Sequence, residues 1–280
     1  MRRVNVLVIH REAFPFATPW LERLAMSRAE FSVLDFDDAL FAEPTHGRDW
    51  RRRFRNPAKF SDVVRAADLV TVASPVLLEW ASKLNPHVEL ALTLPPSRRQ
   101  VNWSEDGPVP VVWIGSDSTV DQLLTRLEPI RDAVAHLSSE VRILSGDQTL
   151  SRVWPSNVSA ARWSEAGEDA LLSVPGVGVM PLTSDTWGKG KGAYKALLYL
   201  SAGWPVVMSP VGMNIWVLNA SQAGRLADSE DSWREAVSLL LDNPVLCSEL
   251  GDRGRKWLEM ARHKYDLANI ILTGVKNASR

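Results

Sequence analysis

Short, nearly uninterrupted apolar runs alternate with stretches of helical period along most of the chain, the pattern of parallel strands joined by helical crossovers. Residues 4–9 (VNVLVI) read as a strand, and residues 20–26 as the amphipathic helix that follows, with Pro15 and Pro19 marking its approach. The apolar run 31–36 ends in the acidic cluster Asp35, Asp37 and Asp38. Then come a helix over 60–67, a strand over 69–73, a helix over 75–84 and a strand over 88–92. Pro95, Pro96 and the polar residues up to Pro108 read as a linker. Beyond it, residues 109–114 form a continuous apolar run of the kind buried on both faces of a parallel sheet. A long helix to about Leu137 follows, with strands expected at 141–144, 177–180 and 205–208 and helices at 165–172, 191–202, 232–241 and 244–264. The expectation is an α/β protein of two Rossmann-like domains with a cleft between them. The first, shortened, covers residues 1–103, the second 104–268, and a tail, 269–280, is placed to return to the first.

Composition narrows the function. Of 280 residues, 45% are hydrophobic and 23% charged, an ordinary globular balance, and 32 Lys and Arg against 33 Asp and Glu leave a net charge of −1. A general nucleic-acid binder needs uncompensated cations to meet phosphates, so no nucleic-acid partner is expected. The single cysteine, Cys247, excludes an internal disulfide and a thiolate zinc cluster. No apolar run approaches a membrane span, and residues 4–9 are too short for a signal peptide, which predicts a cytoplasmic protein with peripheral membrane association left open. A basic run with interleaved aromatics, Arg48–Arg55, offers a surface for an anionic partner, an acceptor presented by a lipid or an acidic carrier protein.

Three segments carry candidate chemistry. In 187–195 (WGKGKGAYK), alternate glycines let backbone approach a ligand, and the helix after them offers its positive dipole end; Lys191 and Lys195, four apart, would project from one helical face. A flexible loop with solvated lysines explains the same residues. Neither the P-loop pattern nor the dinucleotide pattern fits, because Thr183, Gly190 and Lys195 stand at required positions. Gly115–Ser116 lies where a buried strand hands over to a helix, a second place for a phosphate and equally a place for a helix cap. The carboxylates Asp35, Asp37 and Asp38 repel one another unless a cation, sugar hydroxyls or solvent compensate them. Of the five histidines only His10, just after a strand, is placed like a site residue.

Six blocks occur together in one order: 112–116 (VWIGS), 178–182 (GVMPL), 191–195 (KGAYK), 202–207 (AGWPVV), 209–214 (SPVGMN) and 251–255 (GDRGR). In these, residues 111–264 resemble the donor-binding domain of glycosyltransferase family 4, retaining enzymes of the GT-B fold. Residues 8–14, 34–41 and 67–82 are similar, less specifically, to the later part of the acceptor domain. The resemblance implies a metal-independent transferase moving a hexosyl or N-acetylhexosaminyl group from a nucleotide-diphosphate sugar to an unidentified acceptor. A UDP-sugar is expected in preference to a GDP-sugar, with no cofactor and with a homo-oligomer left open. It implies that Gly115, Ser116, Gly190, Lys191, Gly192 and Lys195 hold the diphosphate. Trp163, Glu165, Asp185 and Gly212 would lie near the nucleotide or sugar, and His10, Asp35 and Asp37 would act on the acceptor side. Gly190 and Leu198 stand where many members carry paired glutamates, so the carboxylate that would hold the ribose hydroxyls is absent. The alternative is a non-catalytic nucleotide-sugar-binding subunit of a larger transferase.

Overall fold

The computed structural model describes residues 4–14, 18–42, 57–103, 107–137 and 139–278, and it forms two compact units, each built on one parallel sheet. In chain order the elements begin β1 (Val4–His10), α1 (Trp20–Met26), β2 (Ala29–Phe36), α2 (Pro57–Ala66), β3 (Leu69–Val72), α3 (Pro75–Ser82) and β4 (Val88–Leu90). There follow β5 (Val111–Ile114), α4 (Val120–Leu124), α5 (Leu127–Ala135), β6 (Val141–Ser145), α6 (Asp147–Leu150), β7 (Val158–Arg162), α7 (Glu165–Leu171) and β8 (Val177–Met180). The chain ends with α8 (Thr186–Gly190), α9 (Tyr194–Ala202), β9 (Val206–Met208), α10 (Met213–Ser221), β10 (Gly224–Leu226), α11 (Glu230–Leu241), α12 (Pro244–Lys264) and α13 (Leu267–Ala278).

The first unit comprises Met1–Thr93, Ser184–Gly192 and Ala261–Arg280, the second Leu94–Thr183 and Ala193–Met260. The boundary expected at residue 103 therefore falls ten residues earlier. The reason is that the linker packs on the second unit: the Val101 N–H donates to the Ala202 carbonyl (3.2 Å) and Arg255 reaches the Arg98 carbonyl (2.6 Å).

In the first unit the sheet runs β1-β2-β3-β4, all parallel. Phe36, Phe60, Val64, Val72 and Leu77 form its core, and α13 covers the other face, where Ile270, Ile271 and Val275 meet Phe31, Val33 and Leu69. Ser74 starts α3 by accepting the Leu77 N–H (3.3 Å), with Pro75 at the first helical position, where its missing donor costs nothing. A buried ion pair also lies in this unit. Lys59 Nζ is 2.7 Å from Glu22 Oε1, the two side chains being 1% and 0% exposed. The pair clamps Phe14 from both sides: Lys59 donates to its carbonyl, and Glu22 accepts its N–H (3.2 Å).

The second sheet has the order β10-β9-β8-β5-β6-β7, again parallel. The chain lays down β5, β6 and β7 outward on one side, then returns to place β8 on the other side of β5. That makes the β5/β8 boundary the topological switch point, where open α/β sheets bind ligands beyond the carboxyl ends of their strands. Trp113, Ile130, Ile143, Val179 and Trp233 fill the core between the sheet and α5 and α11. Cys247 is fully buried there; its S–H donates to the Leu240 carbonyl (3.0 Å), and burial pushes the thiol up to about 12. The long helix expected after Gly115 is broken into a 3₁₀ turn over Asp117–Thr119, then α4 and α5. Among the described residues no helix is long and apolar enough to cross a membrane. The basic run Arg48–Arg55 lies outside the described residues.

Candidate functional site

In the second unit, the chain leaves β5 through Gly115 and Ser116. Ser116 receives the Thr119 N–H at its carbonyl (2.9 Å), closing the turn, and its hydroxyl lies 2.9 Å from that of Ser118. Lys195, the second residue of α9, folds back over this turn. Its Nζ sits 4.4 Å from the centroid of the buried Trp113 ring and donates to Thr119 Oγ1 (3.3 Å). A half-buried ammonium over an indole face contributes about 1–2 kcal/mol. Gly115 has to be glycine, since a Cβ there would stand 2.7 Å from Lys195 Nζ and overlap the Trp113 ring. The lysine, the glycine turn and the buried indole are thus one assembly at the carboxyl end of β5.

Two side chains fasten its surroundings. Asp117 reaches to the next strand's exit: its carboxylate accepts the Thr149 hydroxyl (2.6 Å), the Thr149 N–H (2.8 Å) and the Gln148 N–H (3.3 Å) at the start of α6. Across the switch point, buried Gln122 accepts the Thr183 N–H (2.6 Å) and donates to the Thr183 hydroxyl (3.2 Å). The Asp117 carboxyl is held below its ordinary value of 3.8, chiefly by the Thr149 hydroxyl, against the opposing effect of burial. A depressed carboxyl contributes stability that is complete above the unfolded value and lost as pH falls through the folded one. The melting-temperature difference between the parent and Asp117→Ala should therefore stay constant down to about pH 5 and shrink below about pH 4. A difference that is flat across that range would show the tether to be without weight.

Gly212 precedes α10 with φ 52° and ψ −123°, a conformation open essentially to glycine alone. Asn214 then ties the ends of β8 and β9 together by donating to the Met180 (3.3 Å) and Ser209 (3.0 Å) carbonyls. Trp163 and Glu165 lie elsewhere on this unit, in a groove of about 850 Å³ lined also by Arg98, Arg99, Glu168 and Tyr194. The Trp163 indole N–H donates to Glu168 (2.9 Å), which Arg98 also engages (2.9 Å). Gly115, Ser116 and Lys195 do not line that groove.

The segment 187–195 departs from its expected form. Residues 186–190 form the single helical stretch α8, capped by Asp185, which accepts the Gly188 N–H (2.7 Å). Lys191 is extended (ψ 140°), Ala193 is left-handed (φ 55°), and α9 begins only at Tyr194. Lys191 and Lys195 therefore share no helical face; they belong to different units. Gly190 and Gly192 serve close packing, since a Cβ on each would meet the side chains of Ala39 (2.7 Å) and Ala73 (2.8 Å). The open glycine loop expected to cradle a diphosphate is filled by the protein itself.

In the first unit the carboxyl ends of three strands place His10, Asp35 and Thr71 side by side, each in register with the next. His10 Nδ1 lies 2.8 Å from Asp35 Oδ2, and the Thr71 hydroxyl donates to Asp35 Oδ1 (2.7 Å). A carboxylate only accepts, so Nδ1 is the donor in this bond, and Nε2 of the exposed ring takes no part in it. The acidic cluster is compensated by Arg11, a residue that only its place after the first strand marked. Left-handed at φ 60°, it forks onto Asp37 (2.7 and 2.9 Å) and reaches Asp38 (3.0 Å). The hydrogen bond to Asp37 is the main cause that raises its guanidinium. Lys191 Nζ stands 3.9 Å from Asp38, so the expected diphosphate lysine is a neighbour of the acidic cluster. Among the described residues no group of three or more His, Cys, Asp and Glu is arranged to hold a metal ion.

No protein-family model and no curated protein sequence matches the chain. Solved structures do. TarM superposes with a TM-score of 0.71 at 12% identity, over 98% of this chain and 55% of that one. The pneumococcal O-GlcNAc transferase GtfA, solved with UDP and GlcNAc, gives 0.69 at 13%, over 100% and 57%. The UDP-forming α,α-trehalose-phosphate synthase from Burkholderia vietnamiensis gives 0.67 at 11%, over 100% and 75%. The chain thus spans a little over half the length of TarM and GtfA. The fold is that of the GT-B glycosyltransferases, two Rossmann-like units of parallel sheet.

Proposed function

We propose that the protein transfers a sugar, with retention, from a nucleotide-diphosphate sugar to an acceptor hydroxyl. The observation that carries this reading is Lys195, drawn over the Gly115–Ser116 turn at the switch point of a GT-B-type sheet. As the glycosidic bond breaks, the departing diphosphate gains charge, and a cation already fixed beside the Gly115–Ser116 turn stabilises that state more than the ground state. Lys195, in place of Lys191, is the diphosphate lysine in this reading, with Gly115 and Ser116 beside it. In this reading His10 and Asp35 serve the acceptor side, and the departing phosphate takes the proton of the acceptor hydroxyl in same-face attack. UDP is the favoured leaving group because GtfA was solved with UDP and the trehalose-phosphate synthase is UDP-forming.

Calorimetry with UDP and GDP, followed by assays of donor hydrolysis and transfer, tests the proposal. Binding of UDP in the micromolar to millimolar range, abolished in Gly115→Val, is expected; that range corresponds to about 4–8 kcal/mol. A chain that binds neither nucleotide sinks the reading. A second reading, a nucleotide-sugar-binding subunit without turnover, is favoured by Leu198, which is 1% exposed in the core where family 4 members carry a carboxylate. Tight UDP binding with no turnover on any acceptor identifies it.

A further inference from the structure

The switch point is held open by one side chain. β5 pairs with β6 along its whole length, from Val111 opposite Val141 to Ile114 opposite Leu144, but with β8 only at Val111 and Val112. The N–H groups of Val111 and Gly115 point to β6, donating to the Glu140 and Leu144 carbonyls (3.0 Å each). By the alternation of a strand, that of Ile114 points the other way, towards β8. There it meets the Tyr199 hydroxyl, to which it donates at 2.8 Å.

The ring that carries this hydroxyl lies on Gly178, the last residue of β8 to pair with β5, where any Cβ would overlap it. Tyr199 is fully buried and stacks on Trp204 (5.9 Å, 9°), whose indole is seated on Gly176 and donates to the Val174 carbonyl (2.9 Å). Two aromatics thus occupy a slot made by two glycines, and burial raises the phenol so that it stays protonated.

We propose that Tyr199 is a positioning residue for the donor site: it wedges β5 away from β8 and, by capping the Ile114 N–H, fixes the direction in which Gly115 and Ser116 leave the strand. Lys195, one helical turn before it on α9, comes to the same turn from above, so one helix sets both halves of the diphosphate contact. This rests on the donor reading above.

The test is Tyr199→Phe, which keeps the wedge and removes the acceptor, beside Leu200→Ala as a control. Leu200 is on the same helix but packs against Gly254 of α12. In Tyr199→Phe, amide exchange at Ile114 should accelerate about tenfold relative to Trp113, and the Kd for UDP should rise about tenfold, the lower range for an orphaned buried N–H. Leu200→Ala should lower the melting temperature at least as much and leave both readouts within about twofold. Unchanged Ile114 protection, an unchanged UDP affinity, or equal weakening in Leu200→Ala overturns the proposal. Should the parent chain bind no nucleotide, the donor reading falls by that result, and the exchange data alone decide whether Tyr199 holds the turn.

Discussion

Lys195→Ala lowers kcat/KM for the donor by at least about tenfold, about 1.4 kcal/mol of transition-state stabilisation. Two features give this expectation its size. The ammonium is already seated over Trp113 and anchored to Thr119, so it needs little reorganisation as charge develops on the leaving group. Lys195→Met is the informative partner, because it keeps an unbranched apolar stem on the indole and removes only the charge. If both variants keep their circular-dichroism spectrum and lose rate together, the charge is responsible; transfer kinetics like those of the parent in both would remove Lys195 from the mechanism. Lys191→Ala, which alters a neighbour of Asp38 in the other unit, should leave UDP affinity within about twofold, a factor worth about 0.4 kcal/mol.

Glu22→Ala should destabilise the chain by about 3–5 kcal/mol, because it strands the Lys59 ammonium in the interior. That is a large part of the 5–15 kcal/mol that holds a typical domain folded. The Phe14 N–H loses its acceptor in the same step, and the loop after His10 and Arg11 loses its anchor. Removing both charges at once, in Glu22→Leu with Lys59→Met, should recover much of the loss, since a buried pair is often no better than apolar side chains of like volume. Thermal unfolding of the two variants checks the pair. A single variant that unfolds within a degree or two of the parent would mean that water reaches this ion pair.

The apolar periodicity made much of the architecture legible, and it did so where burial is strongest. β5, buried at every residue, and α12, whose Pro244–Lys264 limits coincide with those expected, are cases in which one face or both must be apolar. β7 and β10 escaped notice because their sequences, VSAAR and GRL, sit half-exposed at the sheet's two edges and carry little apolar signal. The site was legible by position and much less by contact. Gly115, His10 and Asp35 were marked by standing at strand exits and Lys195 by its place after the glycine segment, but the partners lie far along the chain: His10 and Asp35 are 25 residues apart, Thr119 and Lys195 76. The segment 187–195 misled for a related reason. Its glycines meet Ala39 and Ala73, more than a hundred residues away, and no local pattern distinguishes a glycine that fits a neighbour from one that admits a ligand.

The burial of Cys247 leaves the chain with a thiol that alkylating reagents cannot reach while the second unit stays folded. A cysteine introduced at a fully exposed position such as Val153, 99% exposed, would then take up a fluorophore alone. Any label found on residue 247 itself becomes a clock, counting how often that interior opens.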